Sequence, residues 1–240
     1  MSPSRQGRGL RRLVVTLVVL AVVLVAVDRI AAVVAQNQLA SMAQKEAAKY
    51  QVRSADTSVK IGGFGFLPQL IKQDFSKVTL TMGKPAFAKV PGEKLTVDMK
   101  NVHVPRSLLF GQSGTVTVGT TDMQVRLSPR ELGRLAVKTT PELAGLSMVA
   151  EGGKLHAKLA SNGINIDVPV EPQIQNGKIS LTLGQLSSSI PSAIANGLKN
   201  QLANGIQLPQ LPYNAQLTQV SIQDNAVVLS ATVKDLTFTR

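Results

Sequence analysis

The chain has 240 residues, which is enough for one domain with a sizeable core or for two small domains. It contains no cysteine and no tryptophan, which excludes disulfide scaffolds, thiolate zinc sites and cysteine nucleophiles and argues against nucleic-acid modules built on aromatic stacking. The net charge of +12 indicates an anionic partner, such as nucleic acid, acidic glycans or anionic lipid head groups. No run of four consecutive Lys or Arg residues occurs, so we predict no nucleic-acid partner.

The N-terminus has four arginines followed by an apolar segment, residues 13–27. A basic stretch before an apolar stretch is typical of a secretory signal. We interpret residues 1–27 as an uncleaved signal anchor or a signal peptide, with the anchor favoured, and residues 28–240 as a single domain outside the cytoplasmic membrane. Two alternatives stay open: cleavage after Ala35, where residues 33–35 form a weak cleavage site, and a buried helix of a cytosolic protein.

Residues 28–50 have apolar positions at helical spacing, which predicts an amphipathic helix with Asp28 as its N-cap. From residue 57 the apolar period changes to two, which predicts antiparallel strands with one apolar face. The alternation changes phase near Gly119, which predicts a bulge or bend there. Asp224 and Asn225 separate two alternating runs, and this pattern predicts a hairpin turn.

Two further helices interrupt the predicted strands. Ser128, Pro129 and Glu131 form a capping box with proline at the first helical position, which predicts a helix start at this point. A second helix is predicted over residues 189–204, with an apolar residue at every fourth position and Gly205 after its end. Strands and segregated helices in this order predict an α+β domain.

The sequence offers no recognisable catalytic or metal site. His103 and His156 each alternate with apolar neighbours, so we predict both on the solvent side of strands. No carboxylates stand at ligand spacing beside them, and no nucleophile elbow or phosphate-binding loop is present. We therefore predict no catalytic residue, no metal, no cofactor and no enzymatic activity.

Residues 61–71, IGGFGFLPQLI, form the most unusual segment. Two of the six phenylalanines, Phe64 and Phe66, stand here among three glycines and a proline, which predicts a shaped apolar loop. The loop either plugs one end of the core or faces a membrane or ligand. Lys60 and Lys72 flank the segment, as expected for contact with an anionic lipid surface.

Three segments together resemble a known family. Residues 28–32 and 38–40 are similar to its opening helix, and residues 61–69 are similar to its I-G-G-F-P-F-L-T-Q motif, with Gly65 and Pro68 departing from it. Residues 208–218 and the hairpin after them are similar to its C-terminal signature. On these residues the chain resembles the actinobacterial LmeA family, whose name derives from lipomannan elongation. The middle third of the chain resembles the family by its pattern only.

The resemblance implies an exported phospholipid-binding protein of the cell envelope with links to mannosylated phosphatidylinositol glycolipids. It also implies a fold like that of tubular lipid-binding proteins, in which a long curved antiparallel sheet packs on a long helix with an apolar groove between them. The apolar stripes predicted from the residues agree with such a groove, because burying each CH₂ of an acyl chain contributes roughly 0.8 kcal/mol.

We therefore expect a protein that binds, and shuttles or presents, an anionic phospholipid or a phosphatidylinositol-type glycolipid in support of envelope glycolipid metabolism. An envelope glycosyltransferase is a possible partner. We expect the lipid head group at Lys72 and Lys77. The alternatives are a membrane-anchored scaffold that stabilises an envelope enzyme without carrying lipid, and an envelope hydrolase. Apolar contact to acyl chains or bilayer is expected from Phe64, Phe66, Leu67, Ile190, Ile194, Leu198 and Leu202.

Overall fold

A computed structural model describes residues 6–87, 90–109, 112–161, 164–175, 177–184, 192–203, 205–206, 213 and 215–239. The helices are α1 (Gln6–Lys49), α2 (Phe66–Lys72), α3 (Arg106–Leu109), α4 (Pro129–Thr139) and α5 (Ser192–Ala203), with a short 3₁₀ turn at Pro141–Leu143. The strands are β1 (Val52–Arg53), β2 (Asp56–Gly62), β3 (Asp74–Gly83), β4 (Ala86–Phe87), β5 (Val90–Pro91), β6 (Lys94–His103), β7 (Thr115–Leu127), β8 (Leu146–Glu151), β9 (Lys154–Ser161), β10 (Ile164–Gln175), β11 (Lys178–Leu183), β12 (Gln216–Gln223) and β13 (Ala226–Thr239).

The apolar N-terminal segment and the predicted amphipathic helix are one continuous helix, α1. No proline interrupts residues 6–49, and Asp28 leaves its backbone free to continue the helix, so the backbone hydrogen bonds run through residue 28. The prediction that Asp28 caps the start of a separate helix is therefore wrong. Its side chain caps a different helix, α2, as described below.

The described strands form an α+β architecture with antiparallel pairing throughout, as predicted. They make two large sheets instead of one. A six-stranded sheet has the order β12-β13-β7-β6-β3-β2, and a four-stranded sheet has the order β11-β10-β9-β8. A small sheet of β1, β4 and β5 lies beside them.

An irregularity crosses three neighbouring strands of the six-stranded sheet at Asn101, Gly119 and Asp235. The residue pairs before and after this point have the same register, but Asn101, Gly119 and Asp235 themselves are unpaired. Asn101 and Asp235 both have φ of 53°. A Cβ on Gly119 would lie 3.3 Å from the Cβ of Asn101, so glycine permits the close approach. Because each strand changes phase here, Met99 and Val102 pack toward the same core. The bend predicted near Gly119 is confirmed.

Two hydrophobic cores lie at different places on the fold. The α1 core joins α1 and α2 to β2, β3, β6 and β7, and its buried members include Ala32, Phe66 and Val118. The four-stranded core joins the four-stranded sheet, α4 and α5 to the hairpin end of β13, and Leu155 and Val227 lie within it. The apolar face of the six-stranded sheet connects the two.

The remaining local predictions agree with the structure where it describes the chain. Ser128 Oγ accepts a hydrogen bond from the Glu131 backbone N–H at 3.3 Å and caps α4. Gly205 follows α5 with φ of 83°, and the predicted start of that helix at residue 189 lies outside the described residues. Asp224 and Asn225 have φ of 46° and 58° and turn the chain from β12 to β13, which is the conformation that tight hairpins require.

Candidate lipid-binding site

The glycine- and phenylalanine-rich segment ends a strand and starts a helix. Gly65, with φ of 68°, is the N-cap of α2, and Pro68 stands in the first turn, where its missing N–H breaks no helical hydrogen bond. The prediction of an irregular loop over residues 61–71 is thus wrong at both ends, because residues 61 and 62 belong to β2 and residues 66–71 to α2. Residues 63–65 form a tight turn, which we call the Phe64 turn.

Two buried polar side chains hold the Phe64 turn. Asp28 accepts a hydrogen bond from the Leu67 backbone N–H at 2.7 Å, which satisfies a free donor at the start of α2. Gln69 donates to the carbonyl oxygens of Gly62 at 3.0 Å and Gly65 at 2.8 Å. Its Oε1 accepts from the Ser76 backbone N–H at 3.0 Å. The turn is therefore fixed to α1 on one side and to β3 on the other.

The two phenylalanines of the motif face opposite environments. Phe66 is buried in the α1 core, with its ring centroid 6.0 Å from that of Phe75, and Leu67 is partly buried beside it. Phe64 is 96% exposed, and Ile71 at the other end of α2 is 68% exposed. Phe64 and Ile71 are therefore the apolar side chains of this segment that are free to contact a ligand or a membrane, whereas Phe66 stabilises the fold.

A pair of exposed cations lies at the C-terminal end of α2. Lys72 is exposed there, and Arg106 places its Nη2 3.3 Å from the carbonyl oxygen of Ile71. The Arg106 backbone N–H donates to Gln73 Oε1 at 2.9 Å and holds α3 against α2. Within the described part of the chain, neither cation forms a salt bridge. The sequence pattern does not indicate Arg106 as a site residue, because only the tertiary fold brings it close to Lys72.

The structure places Lys77 away from this pair. Lys77 lies on the polar face of the six-stranded sheet, where its Nζ is 3.2 Å from Asp98 Oδ1. On the next strands Lys100 lies 3.0 Å from Asp122, which also accepts a hydrogen bond from Thr232. The hydrogen bond from Lys100 lowers the pKa of the Asp122 carboxyl, with Thr232 acting in the same direction against the effect of burial. Lys77 is thus neutralised on the face opposite the apolar one.

The apolar face of the six-stranded sheet is incompletely covered between the two cores. Val97 lies directly opposite Leu80 and Met123 on the neighbouring strands. The side chains of Leu95, Val97, Met123 and Val233 are partly buried and belong to neither core. Such a strip of apolar surface on a sheet can accept a hydrocarbon chain.

A polar atom without a partner lies beside this strip. Thr121, opposite Met99 and Val233, is 3% exposed, and its hydroxyl has no hydrogen-bond partner in the structure described. The hydroxyl of Thr57 on β2 is likewise buried and has no hydrogen-bond partner among the described residues. A buried hydroxyl without a partner is destabilising. Thr57 and Thr121 are therefore two positions with an unused hydrogen-bonding group on an otherwise apolar face.

Leu202, predicted to line the groove, packs in the four-stranded core. Leu202 on α5 is 2% exposed and lies in the four-stranded core with Ile179 and Leu181. Burial against protein leaves Leu202 no surface for an acyl chain. Ile190 and the side chains of Ile194 and Leu198 lie outside the described part of the chain.

A polar cluster that the sequence did not reveal lies on the four-stranded sheet. The pairing of β8, β9 and β10 brings Glu151, His156 and Asp167 together, with ligand atoms within 4.8 Å of one another. However, Lys158 Nζ lies 2.7 Å from Glu151 and 3.4 Å from Asp167. Its ammonium group already neutralises these carboxylates, so the donor set suits an ion-pair network better than a cation. His103, on the other sheet, pairs with Asp74 at 2.7 Å.

Comparison with known proteins identifies the family. Residues 26–232 match the family described as LmeA-like phospholipid-binding, so the match begins just before Asp28 and ends within β13. It includes the Phe64 turn, both cations of α2 and α3, the four-stranded sheet and the six-stranded sheet up to the middle of β13. No curated protein matches the chain, and no solved structure matches it. The matched segment covers most of the chain, which therefore belongs to the LmeA-like phospholipid-binding family.

Proposed function

We propose that the protein binds an anionic phospholipid, with acyl chains on the apolar strip of the six-stranded sheet and the phosphate near Lys72 and Arg106. The observation that carries this proposal is the row of partly buried side chains around Val97, on a face that is buried at both ends. Family membership supports the same reading. Phosphatidylinositol-type glycolipids of the cell envelope carry the required charge and acyl chains.

The basic pair suits a phosphate head group because guanidinium and ammonium groups form charge-assisted hydrogen bonds with phosphate oxygens. Lys72 and Arg106 replace Lys72 and Lys77 as the proposed pair, since Lys77 is already bound to Asp98.

We further propose that α1 is retained as a membrane anchor, with the folded domain on the outer side. By length and composition α1 can cross a membrane. Cleavage after Ala35 would remove Asp28, which caps α2, and Ala32, which is buried in the α1 core. Loss of both would expose core surface and free the Leu67 N–H, so the fold favours an uncleaved chain.

The lipid proposal is tested on the full chain purified in mild detergent, with bound lipid identified by native mass spectrometry. We expect phospholipid bound to the wild type and lost from Val97→Phe, which fills the apolar strip. Val15→Phe is the matched control, because Val15 is an exposed residue of the apolar N-terminal segment and its substitution alters only lipid around the anchor. Equal lipid content in both variants, or no stoichiometric lipid in the wild type, would leave the scaffold interpretation as the better one.

The head-group proposal requires a second comparison. The double variant Lys72→Ala with Arg106→Ala should bind phosphatidylglycerol more weakly but should retain uptake of phosphatidylcholine. A control variant, Arg130→Ala with Lys154→Ala, removes the same charge from exposed positions on α4 and β9. If both double variants lose the same affinity, net charge and not the α2 pair attracts the lipid.

A further inference from the structure

Resting on the head-group site proposed above, we propose that Gln73 is the positioning residue of that site, which holds Arg106 beside Lys72 so that a lipid phosphate meets two cations at a fixed spacing. Gln73 acts through Arg106 and not by contact with the lipid. Its backbone and side chain join α2, which carries Lys72, to α3, which begins at Arg106. The preference for anionic head groups thus depends on a residue that is itself uncharged.

The backbone of Gln73 ends α2 and turns the chain into β3. Its φ of 66° and ψ of 9° are left-handed, and its N–H reaches the carbonyl oxygens of Gln69 and Leu70, which closes the last turn of the helix. Its own carbonyl oxygen accepts a hydrogen bond from the Val104 N–H at 2.8 Å. The segment that precedes α3 is thereby fixed to the end of α2.

The side chain of Gln73 adds a contact that the backbone cannot supply. Its Oε1 accepts a hydrogen bond from the Arg106 N–H at 2.9 Å, and this N–H is one of the free donors at the start of a helix. The guanidinium of Arg106 turns back to α2, where Nη2 lies 3.3 Å from the Ile71 carbonyl oxygen. Arg106 is therefore held at its backbone by Gln73 and at its guanidinium by the residue before Lys72.

This double attachment prepares Arg106 for a phosphate before the lipid binds. A guanidinium has five N–H donors in one rigid plane, so the contact with Ile71 leaves donors for phosphate oxygens. A cation that is already fixed loses less conformational freedom on binding than a mobile side chain does. Asp74, the acid that follows Gln73 in the chain, is paired with His103 at 2.7 Å and leaves the cations to the lipid.

A second glutamine separates this role from the ordinary ending of a helix. Gln51 follows α1 with φ of 58°, and its N–H donates to the Ala48 carbonyl oxygen at 3.0 Å. Gln51 and Gln73 thus share residue type, backbone conformation and place after a helix, and glycine suits that conformation better than either. The side chain of Gln51 is exposed, with no hydrogen bond to the residues that the structure describes. The contact with Arg106 is what distinguishes Gln73.

The test replaces each glutamine in the full chain, purified in mild detergent, and compares bound phosphatidylglycerol with bound phosphatidylcholine by native mass spectrometry. Gln73→Gly keeps the left-handed turn but removes the acceptor, and Gln73→Met keeps the length of the side chain without the acceptor. We expect both to lose about tenfold in preference for phosphatidylglycerol, the size of one charge-assisted hydrogen bond, with uptake of phosphatidylcholine unchanged. Gln51→Gly is the matched control and should keep the preference.

Two further measurements distinguish positioning from a merely structural role. Hydrogen exchange over residues 102–109 should accelerate in Q73G and Q73M, because the Arg106 N–H loses its acceptor, and should not change in Q51G. The melting temperature of Q73G should stay within about 4 °C of the wild type, because relief of backbone strain offsets the lost contact. If the melting temperature and the uptake of both lipids fall together in Q73G and Q73M, Gln73 only supports the fold and the inference is wrong.

The double variant Lys72→Ala with Arg106→Ala separates this inference from the proposed function. If that variant keeps the preference for phosphatidylglycerol, the head-group site is wrong and the inference fails with it. If that variant loses the preference while Q73G and Q73M keep it, the head-group site stands and the inference alone is overturned. An equal loss in Q51G would show that the effect does not pass through Arg106, which also contradicts the inference.

Discussion

Single side chains with polar atoms set the geometry of the Phe64 turn. Asp28 and Gln69 together satisfy backbone donors and acceptors of α2, β2, β3 and the Phe64 turn. Gly65 completes the turn, because its φ of 68° and ψ of 135° are accessible to glycine alone at low cost. These residues explain why the motif combines glycines with one glutamine: the glycines allow the turn, and the glutamine holds it.

Gly65→Ala is expected to destabilise the domain by about 1–3 kcal/mol, because alanine is strained at this backbone conformation and its Cβ would lie 3.0 Å from the Pro68 ring. Gly197→Ala on α5 is the control, since Gly197 has open space around it. That change should raise stability by roughly 0.5–1 kcal/mol. Both are measured by chemical denaturation. A neutral G65A would show that the turn relaxes without cost.

Asp122→Asn is expected to change how stability depends on pH. Lys100 lowers the pKa of Asp122 in the folded state, so the carboxylate stabilises the fold above the pKa of the unfolded chain. That stabilisation is lost as the pH falls through the lower, folded pKa. Denaturation midpoints of wild type and D122N should therefore differ at pH 7 and converge in acid. A difference that is constant with pH would contradict the ion-pair origin.

At the scale of elements, α1 combines a segment that can cross a membrane by length and composition with positions that pack in the α1 core. Its buried positions, such as Ala32, are small and allow close packing on β2, whereas its exposed positions up to Val34 are large and apolar. The sequence pattern suggested a break at Asp28 because a charged residue normally ends an apolar segment.

Asp28→Ala is expected to release the start of α2. Loss of the cap leaves the Leu67 N–H without its acceptor, so hydrogen exchange should accelerate across residues 64–72 while the four-stranded sheet stays protected. Glu46→Ala, which removes another acid of α1 paired only with Lys49, should leave α2 unchanged. Equal protection of α2 in both variants would mean that the Gln69 contacts alone hold it.

At the scale of the whole molecule, the two cores leave the apolar strip between them. The four-stranded core is filled, with Leu155, Ile179 and Leu202 all buried. The six-stranded sheet bends along Asn101, Gly119 and Asp235 and carries its apolar face from one core to the other. The proposed lipid site is thus a product of how the two cores are spaced.

Thr121→Val and Thr57→Val separate fold stability from lipid uptake. Both remove a buried hydroxyl without a partner, so each should raise the free energy of unfolding of the lipid-free protein by about 1 kcal/mol. Neither variant should change phospholipid uptake, because both hydroxyls are buried within the protein and out of reach of a lipid. Unchanged stability of both variants would contradict the cost of leaving these hydroxyls without a partner.

The sequence by itself determined the α+β class, the apolar N-terminal helix, the capped start of α4, the bend near Gly119 and the hairpin at Asp224 and Asn225. These features depend on neighbours within a few positions, which periodicity and turn chemistry report directly. Only the tertiary structure decided that α1 continues through Asp28, that Phe64 and Phe66 face opposite ways, and that Arg106, not Lys77, stands beside Lys72. Those outcomes depend on contacts between residues distant in the chain, where a carboxylate can cap a helix far along the sequence and a lysine can be neutralised from the next strand.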